Sequence, residues 1–252
     1  MAGLELLSDA GFRADGRRPE ELRKVRARLG VLARADGSAY LEQGNTKVLA
    51  AVYGPHEVRG SRAKAPPDRA LLSCRCSAAP FAGGGERRRR PPPGGERRWG
   101  ERGLLLRGVL EGAVLTHLYP RSQIDVHVQV LQADGSELSA CVSAAGLALL
   151  DAGVALRGPV LAGSAGLAEP PAGPPVALSD LSAAEEAAGG PRLALATVAS
   201  AEQVALCQLS ARLHRERLRP VLAAAQAACQ GLQAVLDSVV RARLRSDTAW
   251  QH

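Results

Sequence analysis

The sequence predicts an α+β domain, and three observations carry that prediction. Short runs alternating apolar with polar residues, bounded by Gly, Pro and Asp, mark strands. Stretches with apolar residues three and four apart mark helices, the longest closing the chain. The two patterns alternate along the chain, which requires helices packed on sheet. Of 252 residues 46% are hydrophobic and only 3% aromatic, so the chain can bury a real core, but one built from Leu, Val and Ala.

Residues 25–34 and 39–53 read as strands joined across Asp36-Gly37, a short-hairpin signal. Pro55, Pro66 and Pro67 break the segment that follows, which carries Arg59, Arg62, Lys64 and Arg69, and residues 70–78 form the next strand. Residues 83–102 hold seven arginines against three glutamates, with six glycines and three prolines, which predicts a mobile basic loop with no packed element. Leu106, Val109, Leu110, Ala113, Val114 and Leu118 then recur at helical spacing, placing a helix over 102–118. Ile124, Val126, Val128 and Val130 alternate with polar residues as a half-buried strand. An Ala- and Gly-rich helix follows over 138–151, small enough in its side chains to pack close on sheet, and Gly153 is its expected left-handed stop.

Strands are expected at 159–168 and 176–179, with Glu169–Pro175 as a breaker between them. Ser182 and Glu185 have capping-box spacing. Residues 192–199 and 203–209 form a second hairpin, and a helix over 212–244 presents Leu218, Val221, Leu222, Ala225, Cys229, Leu232, Leu236 and Val239 on one face. The elements use residues 1–252 as one domain, with a core spanning about 10–245.

No run reaches the about 18–20 apolar residues of a membrane span, and the N-terminus has no secretory pattern, so an intracellular protein is expected. Five scattered cysteines fit buried, reduced thiols; Cys74 and Cys76 share a strand face, but no second pair stands at zinc-ligand spacing, and no metal or cofactor is expected. The histidines lack partners at ligand spacing, no serine sits in a nucleophile elbow, and Gly83-Gly84-Gly85 lacks the Lys-Ser/Thr of a P-loop. Only three of the 32 basic residues are lysine, and arginine pairs bidentately with phosphate and stacks on bases, which fits a nucleic-acid partner as well as GC-rich coding drift.

Four stretches carry a resemblance: Arg13-x-Asp15-Gly16-Arg17, Glu42-Gln43-Gly44-Asn45-Thr46, Gln132-Ala133-Asp134-Gly135, and Asp180 with an acidic residue six positions on. In this order, with Leu150-Asp151-Ala152-Gly153, they resemble the RNase PH family. Tyr53–Glu57, Pro120–Ile124 and Glu185–Gly190 are similar to the exosome ring subunits of the class that carries the active sites in archaea. The resemblance implies an RNase PH-like domain with a βαβα core, paired with a second RNase PH-like chain in a six-membered ring around single-stranded RNA. It also implies cap subunits, an associated nuclease, no membrane, a place in rRNA processing and RNA degradation, and a distribution over nucleus, nucleolus and cytoplasm. Arg87–Arg90 is also of the kind found in nuclear-import runs.

Phosphorolysis needs positive charge and free N–H donors to hold inorganic phosphate beside an anionic RNA end. In active members of the family the segment after Gln-Ala-Asp supplies Gly, a hydroxyl residue and an Arg that opens the next helix. The matching positions here are Ser136, Glu137 and Leu138, which put a carboxylate where phosphate belongs and remove the guanidinium. Asp180 matches the first of two family carboxylates, and Glu186 replaces the second, an Asp, with a longer side chain. Alternatively, Asp180 caps the following turn and Glu186 lies on a solvated face. The resemblance assigns RNA contacts to Arg97 and Arg98 near the channel neck and to Arg59 and Arg62 on the earlier basic loop, while Trp99 either stacks on a base or packs under its loop. The reading is a non-catalytic RNA-binding ring subunit; the alternative is an active phosphate-dependent 3′-to-5′ exoribonuclease.

Overall fold

The computed structural model describes residues 6–8, 10–58, 66–83, 95–169, 175–199 and 203–249. Strands β1 (Val25–Leu29), β2 (Gly37–Gln43), β3 (Thr46–Glu57), β4 (Leu71–Ala78) and β5 (Ser122–Gln132) form one sheet in the order β1-β2-β3-β5-β4. Only β4 and β5 run parallel, because helix α1 (Gly95–Ala113) carries the chain back between them. A second, antiparallel sheet has the order β7-β6-β8-β9, from β6 (Val160–Ala168), β7 (Val176–Ser179), β8 (Arg192–Val198) and β9 (Gln203–Leu209).

Helix α2 (Glu137–Asp151) lies between the sheets, touching β2, β3 and β5 on one side and β6 and β8 on the other. Every residue from Ser139 to Leu149 is buried, so the helix has no solvent face and is apolar or small all round. Its small residues are what let the layers close: a Cβ on Gly146 would stand 2.7 Å from the Val160 carbonyl oxygen, and one on Gly37 would stand 2.3 Å from that of Ala148. Helix α4 (Arg215–Ala249) covers the second sheet with Val221, Ala225, Cys229, Leu232 and Leu236. Its 35 residues span about 52 Å. Gly153 takes φ +68° after α2, the left-handed stop that the sequence predicts.

Three elements differ from their prediction. Residues 39–53 are not one strand: Gln43 pairs with Thr46 across a tight Gly44-Asn45 turn, with Gly44 at φ +60°, so the second hairpin sits inside that run. Asp36-Gly37 is correspondingly not a two-residue turn, since β1 stops at Leu29 and Gly37 already opens β2. The helix placed over 102–118 instead starts at Gly95 and ends at Ala113, followed by a separate 3-10 turn at Thr116–Leu118. Residues 95–102 of the expected basic loop are therefore helical. Trp99 packs on the core and Arg102 stacks 4.5 Å from its ring centroid, and together they offset the roughly 1 kcal/mol cost of Gly100 in a helix. Arg87–Arg90 lies outside the described residues. All five cysteines are free, but Cys207 on β9 is exposed rather than buried.

Candidate functional site

The four motif stretches that are far apart in sequence meet around one buried carboxylate. Asp180 is fully buried at φ +55°, and its Oδ2 accepts the Arg23 backbone N–H at 2.9 Å and Nε at 3.0 Å, while Oδ1 accepts Arg23 Nη2 at 2.7 Å. Its carbonyl oxygen accepts Arg13 Nη2 at 2.8 Å and Arg17 Nη1 at 3.2 Å. Arg13 also donates from Nε to Glu185 Oε1 at 2.6 Å and from Nη1 to the Ser179 carbonyl at 2.5 Å. Arg17 is held in turn by Asp15, with Nε 2.6 Å from Oδ2. Thr46 Oγ1 donates to the Gly135 carbonyl at 2.8 Å and accepts the Asp134 N–H at 3.2 Å. A Cβ on Gly44 would strike the Arg23 side chain at 2.6 Å, and one on Gly135 would strike the Leu181 carbonyl at 2.5 Å, so both glycines are required by close approach.

Burial alone raises the Asp180 carboxyl; the hydrogen bonds and charge of Arg23, with Arg17, outweigh it and hold the group below its ordinary range. Glu185 follows the same balance, with burial opposed by Arg13 and the Ser182 amide. These motifs build the frame under the site. Asp180 is thus neither a partner of Glu186 in an acidic pair nor the cap of the following turn. It fastens the N-terminal segment, while Ser182 begins helix α3 (Ala183–Ala187) and donates its N–H to Glu185 Oε2 at 2.8 Å.

Above the frame lies a cleft of about 230 Å³ between α1, the first turn of α2, α3 and β8. Ser136, Glu137, Leu138 and Glu186 come together there, and Asp180 does not. The Glu137 carboxylate is hydrogen-bonded by Arg102 Nη1 and stands 3.6 Å from Arg98 Nη2. Glu186 Oε1 accepts the Ser136 N–H at 2.8 Å and its Oε2 accepts Arg192 Nη1 at 3.2 Å, so Glu186 faces the cleft and not open solvent. The Ser136 hydroxyl donates to the Leu181 carbonyl at 2.8 Å and meets Ser164 Oγ. Leu138 turns onto the core.

The cleft therefore has the cations and the helix N-terminus that an oxyanion needs, and the protein's own carboxylates occupy them. Glu137 pairs with Arg98 and Arg102, and Glu186 pairs with Arg192. An incoming phosphate has to displace a tethered carboxylate from Arg98, Arg102, Arg192 and the Ser136 N–H, and the repulsion from one carboxylate at ~4 Å costs roughly 4 kcal/mol at an effective dielectric near 20.

Arg97 and Arg98 sit on the first turns of α1 and not on a Gly/Pro loop. The Arg97 side chain is 87% exposed, with Nε 3.4 Å from Glu101 four residues on, whereas Arg98 reaches into the cleft. Arg59 and Arg62 lie outside the described residues. Trp99 packs against the core, under Arg102. Arg102 and Arg192 were not singled out in the sequence; the Arg98-x-x-x-Arg102 spacing points to Arg102 once 95–102 is seen as helix. Among the described residues, no three His, Cys, Asp or Glu side chains group to hold a metal ion, and no helix is long and apolar enough to cross a membrane.

Residues 21–155 match the model of the 3′ exoribonuclease family, domain 1, which is the RNase PH family. The chain is 58% identical over 245 residues to the human protein named exosome complex component RRP41, covering 97% of both chains. The Arabidopsis thaliana exosome complex component RRP41 homolog is 39% identical, covering 94% of this chain and 95% of that one. The Rrp41 of the archaeon Thermococcus kodakarensis is 44% identical over 164 residues, 65% of this chain and 64% of its own. The crystal structure of rice Rrp46 superposes with a TM-score of 0.74 at 26% identity, covering 90% of this chain and all of that one. A motif frame around Asp180, a βαβα arrangement under a cleft at the α2 N-terminus, and these likenesses establish that the chain belongs to the RNase PH family.

Proposed function

We propose that this chain is a non-catalytic, RNA-binding core-ring subunit of an exosome, which guides single-stranded RNA to a nuclease elsewhere in the complex. The observation that carries the reading is the internally neutralised cleft, in which Glu137 holds Arg98 and Arg102 while Glu186 holds the Ser136 N–H and Arg192. Such a cleft disfavours the alternative of a phosphate-dependent 3′-to-5′ exoribonuclease. The names of the relatives support membership of an exosome. The likeness to rice Rrp46 supports pairing with a second RNase PH-like chain. Assembly of such pairs into a six-membered ring with cap subunits, and work in rRNA processing and RNA turnover across nucleus, nucleolus and cytoplasm, complete the proposal.

RNA retention falls to phosphate contacts from exposed arginines beside the cleft. Arg97 is the cleanest, because its side chain is the most exposed and it takes no part in the cleft's internal pairs. Substituting Arg97→Ala in the assembled ring should weaken single-stranded RNA equally for poly-A and mixed sequences. The salt slope of log K should fall by roughly 0.7, the value for one lost phosphate contact on a single strand. Adding Arg98→Ala should lower the slope further. Binding titrations at several salt concentrations measure this, and an unchanged slope in the double variant removes both arginines from the RNA path.

A further inference from the structure

The five-stranded sheet keeps one face on the core and leaves the other open. Ile124, Val126, Val128 and Val130 of β5 are buried in the core with α2, and by the alternation of a strand Asp125, His127 and Gln129 between them point the other way. The register carries this outer face across the sheet. Arg28 on β1 stands opposite Tyr40 on β2, and Tyr40 opposite Leu49 on β3. A second row runs Arg26, Glu42, Lys47 over the same three strands, a third runs Ala51, His127, Arg75 over β3, β5 and β4, and Tyr53 stands opposite Asp125. Of these residues only Ala51 is buried. From β1 to β4 the face spans four strand spacings, about 19 Å.

The face is cationic, and its cations are free. Among the described residues the side chains of Arg26, Arg28, Lys47 and Arg75 form no hydrogen bond or ion pair. The two carboxylates on these rows are engaged otherwise: Glu42 Oε1 accepts the Tyr40 hydroxyl at 2.7 Å, while Asp125 accepts Gln123 Nε2 at 2.7 Å and stands 3.4 Å from His56 Nε2. This is the reverse of the cleft, where Arg98, Arg102 and Arg192 each meet a glutamate. Between the free cations lie rings: Tyr53 is exposed and edge-on to His127, with centroids 5.9 Å apart. Leu49 is the one large aliphatic side chain in these rows, too little for the apolar centre of a stable protein interface. Cations that track a phosphate backbone, interleaved with rings on which bases stack, suit a single nucleic-acid strand.

We propose that this open sheet face is a second RNA surface, separate from the cleft, which holds about two or three nucleotides of single-stranded RNA. Arg26, Arg28, Lys47 and Arg75 contact phosphates, and Tyr53 and His127 lie under bases. The inference rests on the reading of the chain as an RNA-binding subunit and gives the strand a place on a rigid element. A duplex is disfavoured, because paired and stacked bases offer no free ring face to Tyr53 and His127.

The test combines photocrosslinking of 4-thiouridine-substituted single-stranded RNA with binding titrations at several salt concentrations, on the full chain alone and assembled with its RNase PH-like partner. Peptide mapping by mass spectrometry should find crosslinks on β3 and β5 in both states. Replacing the four cations together, as Arg26→Gln, Arg28→Gln, Lys47→Gln and Arg75→Gln, should lower the salt slope of log K by roughly 0.7 for each lost phosphate contact. Tyr53→Thr with His127→Thr should weaken binding by about tenfold and leave the slope unchanged. A wild-type slope in the four-cation variant, with a lowered slope in Arg97→Ala/Arg98→Ala, overturns the proposal and leaves the RNA-binding reading standing. Crosslinks on β3 and β5 that vanish on assembly overturn it too, since they make the face a protein interface. A wild-type chain that binds no single-stranded RNA overturns both readings. The wild-type crosslink map decides even where a variant folds poorly.

Discussion

Asp180→Ala should destabilise the protein by about 3–5 kcal/mol, because it leaves Arg23, and Arg17 beside it, as buried cations without their carboxylate. For a chain of this size that lowers Tm by roughly 6–20 °C. Asp180→Asn keeps a residue that tolerates φ +55° and should still lose most of the stability, so the pair of variants separates charge from backbone preference. Acid should reveal the same network. Asp180 and Glu185 are both held below their unfolded values of about 3.9 and 4.3, so their stabilisation is complete above that range and is lost as pH falls through the lower folded values. Thermal melts from pH 7 down to about pH 3 should show wild-type stability falling below about pH 4, with a shallower fall in Asp180→Asn. Equal acid slopes in the two proteins would show that Asp180 is not ionised in the fold. The same reasoning makes Asp180→Ala a fold variant and unsuitable as a control for catalysis.

Glu137→Gln should turn the cleft from a site that rejects phosphate into one that binds it. The substitution keeps the side chain's shape, removes the repelling charge, and frees Arg98 and Arg102 from their internal anion. At roughly 4 kcal/mol for the removed repulsion, affinity for inorganic phosphate should rise by up to about three decades. Isothermal titration of both proteins with phosphate at low salt measures it. The wild type should give no saturable heat, and Glu137→Gln should give one site that Arg102→Ala removes. Equal behaviour of wild type and Glu137→Gln would mean that Glu137 is not the anion that fills the cleft.

Much of this architecture is legible in the residues. The alternation of Ile124, Val126, Val128 and Val130 fixes β5, and the Ala/Gly composition of 138–151 announces a helix able to sit between two layers. Two strong local signals compete and the wrong one dominates: Asp36-Gly37 has a hairpin's composition, yet Gly37 is demanded by the approach of α2, while the actual tight turn is at Gly44-Asn45. Glycine composition likewise hid the start of α1, because what holds 95–102 in a helix is tertiary packing of Trp99 under Arg102. For the site, Ser136-Glu137-Leu138 and Glu186 are readable as departures from a phosphate-binding pattern. That their charges are absorbed by Arg98, Arg102, Arg192 and a backbone N–H is a fact of three-dimensional juxtaposition across residues 98 to 192. Asp180 shows the opposite failure: a residue at a family carboxylate position is a buried anchor here.

Phosphorolysis shows directly whether the carboxylates of this RNase PH fold close its cleft to phosphate. The full chain, alone and assembled with its RNase PH-like partner, is given single-stranded RNA, inorganic phosphate and Mg²⁺, and released nucleoside diphosphates are quantified. None is expected above the level seen without phosphate. Nucleoside diphosphate release that grows with phosphate concentration and disappears in Glu186→Gln would contradict it.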